Sequence, residues 1–100
     1  MSKDNNEEKK TRVRTPRGDQ VIGKVIQMHG GKRMTVECTD GQRRMCRVPG
    51  RKSRIWVKRD DYVLVEPWDI QSDEKGDIVW KYRKSAVNQL RKKGYLEDLE

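Results

Sequence analysis

The chain has 100 residues, 32% of them hydrophobic and 40% charged, and its 24 lysines and arginines exceed its 16 acids to leave +8. That length allows one domain with a small core, and no stretch approaches the ~20 apolar residues of a membrane-spanning helix. The polar start MSKDNNEEKK lacks the apolar centre of a signal peptide, so a cytoplasmic protein with a polyanionic partner is expected, most often nucleic acid.

Residues 1–18 are polar and aperiodic and read as a flexible charged tail, closed by the break Thr15-Pro16-Arg17-Gly18. From Gln20 to Tyr82 short Val- and Ile-rich strands alternate with turn chemistry. The first is QVIGKVIQM at Gln20 to Met28, where Gly23 marks a bulge or a sharp bend; His29-Gly30-Gly31 is the turn that follows. Arg33 to Thr39 alternates, with Met34, Val36 and Cys38 on one face, and Gln42 to Val48 returns as the third strand.

Asp40-Gly41 between them is the strongest hairpin signal in the chain. Read as a two-residue type I′ turn, it faces Glu37 with Arg44, Val36 with Met45 and Thr35 with Cys46. That register makes Glu37–Arg44 an outer-face ion pair, puts Met45 in the core and separates Cys38 from Cys46 onto opposite faces. No disulfide is expected, and both thiols read as reduced.

Pro49-Gly50 opens a basic loop running to Ile55-Trp56-Val57. Asp61 to Pro67 is the fourth and most apolar strand, Trp68 to Gly76 an acidic connection, and Asp77 to Tyr82 the fifth strand. Five strands with a long link between the third and fourth is the pattern of an OB-type Greek-key barrel. The fold class is therefore mostly β, with the barrel over 19–82, an appended helix and turn over 83–96 and a short acidic tail over 97–100. Ser85 is the candidate helix cap, Ala86, Val87 and Leu90 form a narrow apolar stripe, and Gly94 is the stop. Tyr95 and Leu96 are expected to fold back over the barrel.

The charge is concentrated. Arg43, Arg44, Arg47, Arg51, Lys52, Arg54, Lys58 and Arg59 fall in one acid-free run, and Lys81, Arg83, Lys84, Arg91, Lys92 and Lys93 in a second. These cations suit phosphates, the dominant contribution to nucleic-acid affinity. If Ile55 and Val57 face inward, alternation turns Trp56 out into the basic patch, where an indole can stack on an unpaired base; the alternative is a tryptophan that packs in the core or at the rim. Trp68 and Trp80 read instead as packing residues. No catalytic motif is present: His29 lies in a turn, and phosphate-loop, dinucleotide and nucleophile-elbow patterns are missing. Two cysteines and one histidine offer no metal-ligand spacing. Neither enzyme activity nor a cofactor is expected.

Several stretches resemble translation initiation factor 1A in its archaeal form: VIGKVIQM at Val21 to Met28, DGQRRMCRVPG at Asp40 to Gly50, RIWV at Arg54 to Val57, VLVEPWDIQ at Val63 to Gln71, and DIVWKY with VNQLRKKGYL up to Leu96. The resemblance, to a family of OB-fold, S1-like proteins, implies a monomer that binds small-subunit rRNA at the aminoacyl-tRNA site. It would block premature tRNA entry, assist initiator-tRNA placement and cooperate with other initiation factors, including the ribosome-dependent GTPase. It implicates Arg44, Arg47, Arg51, Lys52, Arg54, Trp56 and Lys58 in rRNA contact, with Arg59 added by the charge run. The alternatives are a general single-stranded RNA binder or chaperone, a structural ribosomal protein and a ribonuclease.

Overall fold

The computed structural model describes residues 13–52 and 54–99. Five strands, β1 (Val21–Gly30), β2 (Arg33–Cys38), β3 (Arg43–Arg47), β4 (Tyr62–Pro67) and β5 (Lys75–Lys81), precede one helix, α1 (Lys84–Lys92). The strands close a barrel in the order β1-β2-β3-β5-β4. Every pairing is antiparallel except β3 with β5. Closure depends on β1 serving two neighbours: Gly23 pairs with Cys38 on one side and with Val63 on the other.

Gly23 is there for space. A Cβ at this position would run into Val36 Cγ1 and come within 3.1 Å of the Glu37 carbonyl oxygen. The bulges of β1 lie elsewhere, at Ile26 and His29, where the pairing with β2 skips a residue. Gly23→Ala is expected to destabilise the fold by about 1–3 kcal/mol, because an inserted methyl in a packed interior forces its neighbours apart. Urea unfolding of the two proteins measures it, and an unchanged midpoint would refute the close-packing argument.

The type I′ turn is at Gly31-Lys32, not at Asp40-Gly41. Both residues of the first pair have positive φ, 58° and 60°, and they join Gly30 directly to its partner Arg33. The β2–β3 connection is a three-residue loop instead: the Gly41 N–H donates to the Cys38 carbonyl, the Cys38 N–H donates to the Gln42 carbonyl, and only Gly41 takes a positive φ. A tight turn followed by one left-handed residue is the other common hairpin closure.

The extra residue slips the register by one, which exchanges the two faces of β3. Glu37 therefore faces Arg43, Val36 faces Arg44 and Met34 faces Cys46. The outer ion pair is Glu37–Arg43, at 4.0 Å. Met45 leaves the core, and Arg44 and Cys46 enter it. Cys38 and Cys46 thus share the inward face, contrary to the expected register, and both are free, buried thiols. Burial raises the pKa of each, which makes them poor nucleophiles.

Two apolar clusters hold the fold together. Val25, Met34, Val36, Cys38, Cys46, Val48, Val63, Val65 and Ile78 fill the barrel. Ile22, Tyr62, Leu64, Val79 and Tyr82 lie on its outside and receive Leu90 and Leu96 from the C-terminal segment. The run Tyr62 to Val65 is buried throughout because the barrel interior covers one side of β4 and the C-terminal segment the other.

Ala86 and Val87 pack beside Leu90, as their spacing predicts. The helix begins differently from expectation: Arg83 occupies the cap position with no side-chain cap bond, and Ser85 lies inside the first turn. It ends as expected. Gly94, at φ 85°, donates to the Arg91 carbonyl while Tyr95 donates to the Leu90 carbonyl, a Schellman closure. Leu96 folds back into the second cluster, whereas Tyr95 stays exposed. Glu97–Leu99 forms a short 3-10 turn whose Leu99 packs against the same cluster.

Residues 13–18, assigned above to a flexible tail, lie along the barrel. Val13 packs on the second cluster, and the Tyr82 hydroxyl donates to the Arg14 carbonyl at 2.6 Å. Burial pushes the Tyr82 phenol up to about 12, so it remains a donor at neutral pH. The rest of that tail assignment, residues 1–12, lies outside the described residues.

Candidate nucleic-acid interface

The 48–61 linker between β3 and β4 is fastened at both ends and along its length. Val48 is buried in the barrel cluster, and Ile55 and Val57 pack against it. Gly50–Lys52 forms a 3-10 turn in which the Lys52 N–H donates to the Pro49 carbonyl. At the far end the Asp60 N–H donates to the Val25 carbonyl, and Val25 returns the bond to Asp61. Asp61 accepts from the Lys58 backbone at 2.8 Å and from the ammonium groups of Lys58 at 3.0 Å and Lys81 at 3.3 Å. Partial burial works against its charge, but these donors outweigh it and lower its pKa.

With Ile55 and Val57 facing the barrel, the residues between and beside them face out. Arg51, Arg54, Lys58 and Arg59 are exposed, and Lys52 is half-buried. Trp56 is 79% exposed, as the alternation predicts. Arg51, Arg54 and Arg59 make no ion pair with any described residue, whereas Lys58 is committed to Asp61. The result is an anchored ridge of cations with one outward indole.

Arg47, the last residue of β3, is exposed but partly engaged away from the linker. Its Nε donates to Asp77 at 3.1 Å, and its guanidinium lies 5.1 Å from the centroid of Trp68. Trp68 is half-buried and donates to the same Asp77 oxygen at 2.9 Å.

Arg44 departs from the expected site. It is 3% exposed, and its guanidinium is spent on Asp40 through two bonds of 3.0 and 2.8 Å and on the Ser72 carbonyl. The pairing lowers the Asp40 pKa and raises that of Arg44. Turned inward by the register slip, Arg44 fastens the β2–β3 loop to the β4–β5 loop and has nothing left for a phosphate.

Trp80, expected as a packing residue, is 40% exposed with the Arg14 guanidinium 4.0 Å from its ring centroid. The cause is a bulge in β5. The pairing steps from Val65↔Ile78 to Leu64↔Trp80 and skips Val79, so Trp80 shares the outer face with Leu64. Alternation alone would have placed it inside with Ile78. His29, expected in a turn, lies instead within β1, one residue before its end, and shares a 2.7 Å hydrogen bond with Thr35. Among the described residues no group of three or more His, Cys, Asp or Glu is placed to hold a metal ion, and no helix is long and apolar enough to cross a membrane.

A closed β1-β2-β3-β5-β4 barrel with a cationic ridge on its long linker defines a basic OB-fold protein. The solution structure of translation initiation factor IF-1 from the Wolbachia endosymbiont of Brugia malayi is similar in fold, with a TM-score of 0.51 and 25% identity over 71% of this chain and 85% of that one. The family model described as Translation initiation factor 1A / IF-1 matches residues 9–99. Proteins named Translation initiation factor 1A from Methanococcus maripaludis strain C5 and Methanothermobacter thermautotrophicus are 53% and 46% identical to it. The first match covers 87% of both chains, the second 97% of this chain and 99% of the relative. The chain belongs to the translation initiation factor 1A / IF-1 family.

Proposed function

We propose that the protein acts in the cytoplasm, as a monomer, by occupying the aminoacyl-tRNA site of the small ribosomal subunit. Held against rRNA there, it excludes premature tRNA and so favours placement of the initiator tRNA, in concert with the initiation GTPase. No bond is made or broken; the mechanism is occupancy. The observation that carries this reading is the anchored ridge of the linker, where Arg51, Arg54 and Arg59, without ion partners among the described residues, lie to either side of an indole that is 79% exposed. Phosphate neutralisation supplies affinity, and the fixed linker supplies a shape that a flexible basic tail lacks. Family membership supports the ribosomal address.

Binding of the purified protein to isolated small subunits, at about physiological salt and with excess unstructured RNA, tests it. One-to-one saturable binding that survives the competitor is expected, well clear of the ~10⁻⁴–10⁻⁶ M typical of non-specific electrostatic association with DNA. Complete loss to the competitor would leave a general RNA binder. Retention through a high-salt wash would mark a structural ribosomal protein instead.

A further inference from the structure

Lys81 belongs to the second acid-free run, where charge alone would assign it to a phosphate, yet its ammonium is used inside the molecule. It is the last residue of β5 and pairs with Val63 on β4. The ammonium donates to the Trp56 carbonyl at 2.9 Å and pairs with the Asp61 carboxylate at 3.3 Å. Asp61 in turn accepts from the Lys58 N–H at 2.8 Å, and its other oxygen pairs with the Lys58 ammonium at 3.0 Å. One lysine and one carboxylate thereby bridge the two ends of the stretch from Trp56 to Asp61 and fasten both to β5.

That stretch has little else to hold it. Ile55 and Val57 pack on the barrel, but Trp56 to Arg59 pair with no strand. Among the described residues their one backbone-to-backbone hydrogen bond is local, from the Asp61 N–H to the Lys58 carbonyl at 3.1 Å. The bracket is sheltered: the Asp61 side chain is only 10% exposed and that of Lys81 is half-buried, so salt screens the pair less than it screens surface charges. The Lys58 ammonium is exposed and dispensable to it, because the Lys58 N–H and Lys81 reach Asp61 independently. A loop already held in one shape binds without the cost of ordering itself.

We propose that Asp61 and Lys81 are positioning residues for the RNA-binding linker: together they hold the backbone from Trp56 to Asp61 in the shape that meets RNA, and neither touches a phosphate. This rests on the reading above that the linker faces rRNA, and it removes Lys81 from the phosphate-binding cations of the second run.

Electrostatics alone and positioning predict opposite signs for Asp61→Ala. Removing an acid beside a cationic ridge, and releasing two ammonium groups, should tighten binding to a polyanion. Loss of the bracket should instead weaken it roughly five- to tenfold, the scale of re-ordering about one residue of backbone on binding. Lys81→Met keeps the hydrocarbon stem and should weaken binding to a similar extent, with the salt dependence of the parent, because no phosphate contact is lost. Arg54→Ala is the contrast, since its loss should come with a salt slope lower by about one. Binding to isolated small subunits is followed by anisotropy of the labelled protein across a salt series, at a temperature where circular dichroism shows each variant folded.

Tighter or unchanged binding by Asp61→Ala would overturn the proposal. So would a Lys81→Met that binds like the parent, or one whose loss comes with a lower salt slope, which would make Lys81 a phosphate ligand. If Asp61→Ala does not fold, Lys81→Met decides alone. The two levels separate on the parent protein. A parent without specific binding to small subunits removes the RNA reading itself; a parent that binds, with variants that fail these expectations, removes the bracket alone.

Discussion

Arg44→Met is expected to lower the unfolding free energy by about 2–3 kcal/mol, which for a chain of this size corresponds to a fall in Tm of roughly 10–20 °C. The methionine replaces the buried hydrocarbon but leaves the Ser72 carbonyl without its donor and the Asp40 carboxylate without its partner. Breaking a fully buried pair costs about 3–5 kcal/mol; the figure here is lower because Asp40 is 36% exposed and can regain water. Arg43→Met one residue earlier, on an exposed side chain with only a 4.0 Å ion pair, should stay within about 0.5 kcal/mol.

The pH dependence of the same pair has a definite sign. The folded Asp40 pKa lies below its ordinary value, so the contribution is present in full above the unfolded carboxylate range and disappears as pH falls through the lower folded value. Above that range the gap in stability between parent and Arg44→Met should be flat, and it should narrow in acid. Below its lowered Tm, Arg44→Met should still bind small subunits like the parent, since the guanidinium it loses faces inward in the parent. A loss of binding by folded Arg44→Met would return that residue to the interface.

The strands, the linker and the anchoring of Trp56 were legible because they rest on local alternation: Ile55 and Val57 inward requires Trp56 outward, whatever the rest of the chain does. What escaped were single-residue insertions, which alternation cannot register. One extra residue in the β2–β3 loop exchanged Arg44 with Met45 across the sheet, and the Asp40-Gly41 pair fits both turn types equally well. The bulge at Val79 did the same to Trp80. Arg14 was illegible for another reason, since its partners Trp80 and Tyr82 lie more than sixty residues away and no pattern near Arg14 announces them. The geometry of the candidate site was thus legible where it is local to the linker, and incomplete where a β-sheet register decides which face a side chain takes.

The same distinction sets the second large effect. Arg51→Glu combined with Arg54→Glu should weaken small-subunit binding on the order of a hundredfold at about physiological salt, by removing two attractions to phosphate and adding two repulsions. Both side chains are exposed and unpaired among the described residues, on a backbone fastened by Val48, Ile55 and Val57. The thermal stability of the variant should therefore stay close to the parent's. Its affinity should also vary less with salt, because each lost phosphate contact removes about one released counterion from the slope. Lys58→Ala should cost less affinity than Arg54→Ala, because the Lys58 ammonium is already held at 3.0 Å by Asp61. Equal losses for the two, or a double reversal that binds like the parent at every salt concentration, would move the rRNA-facing surface off the linker. The basic charge of the second run, on and around α1, would then be the remaining place to look.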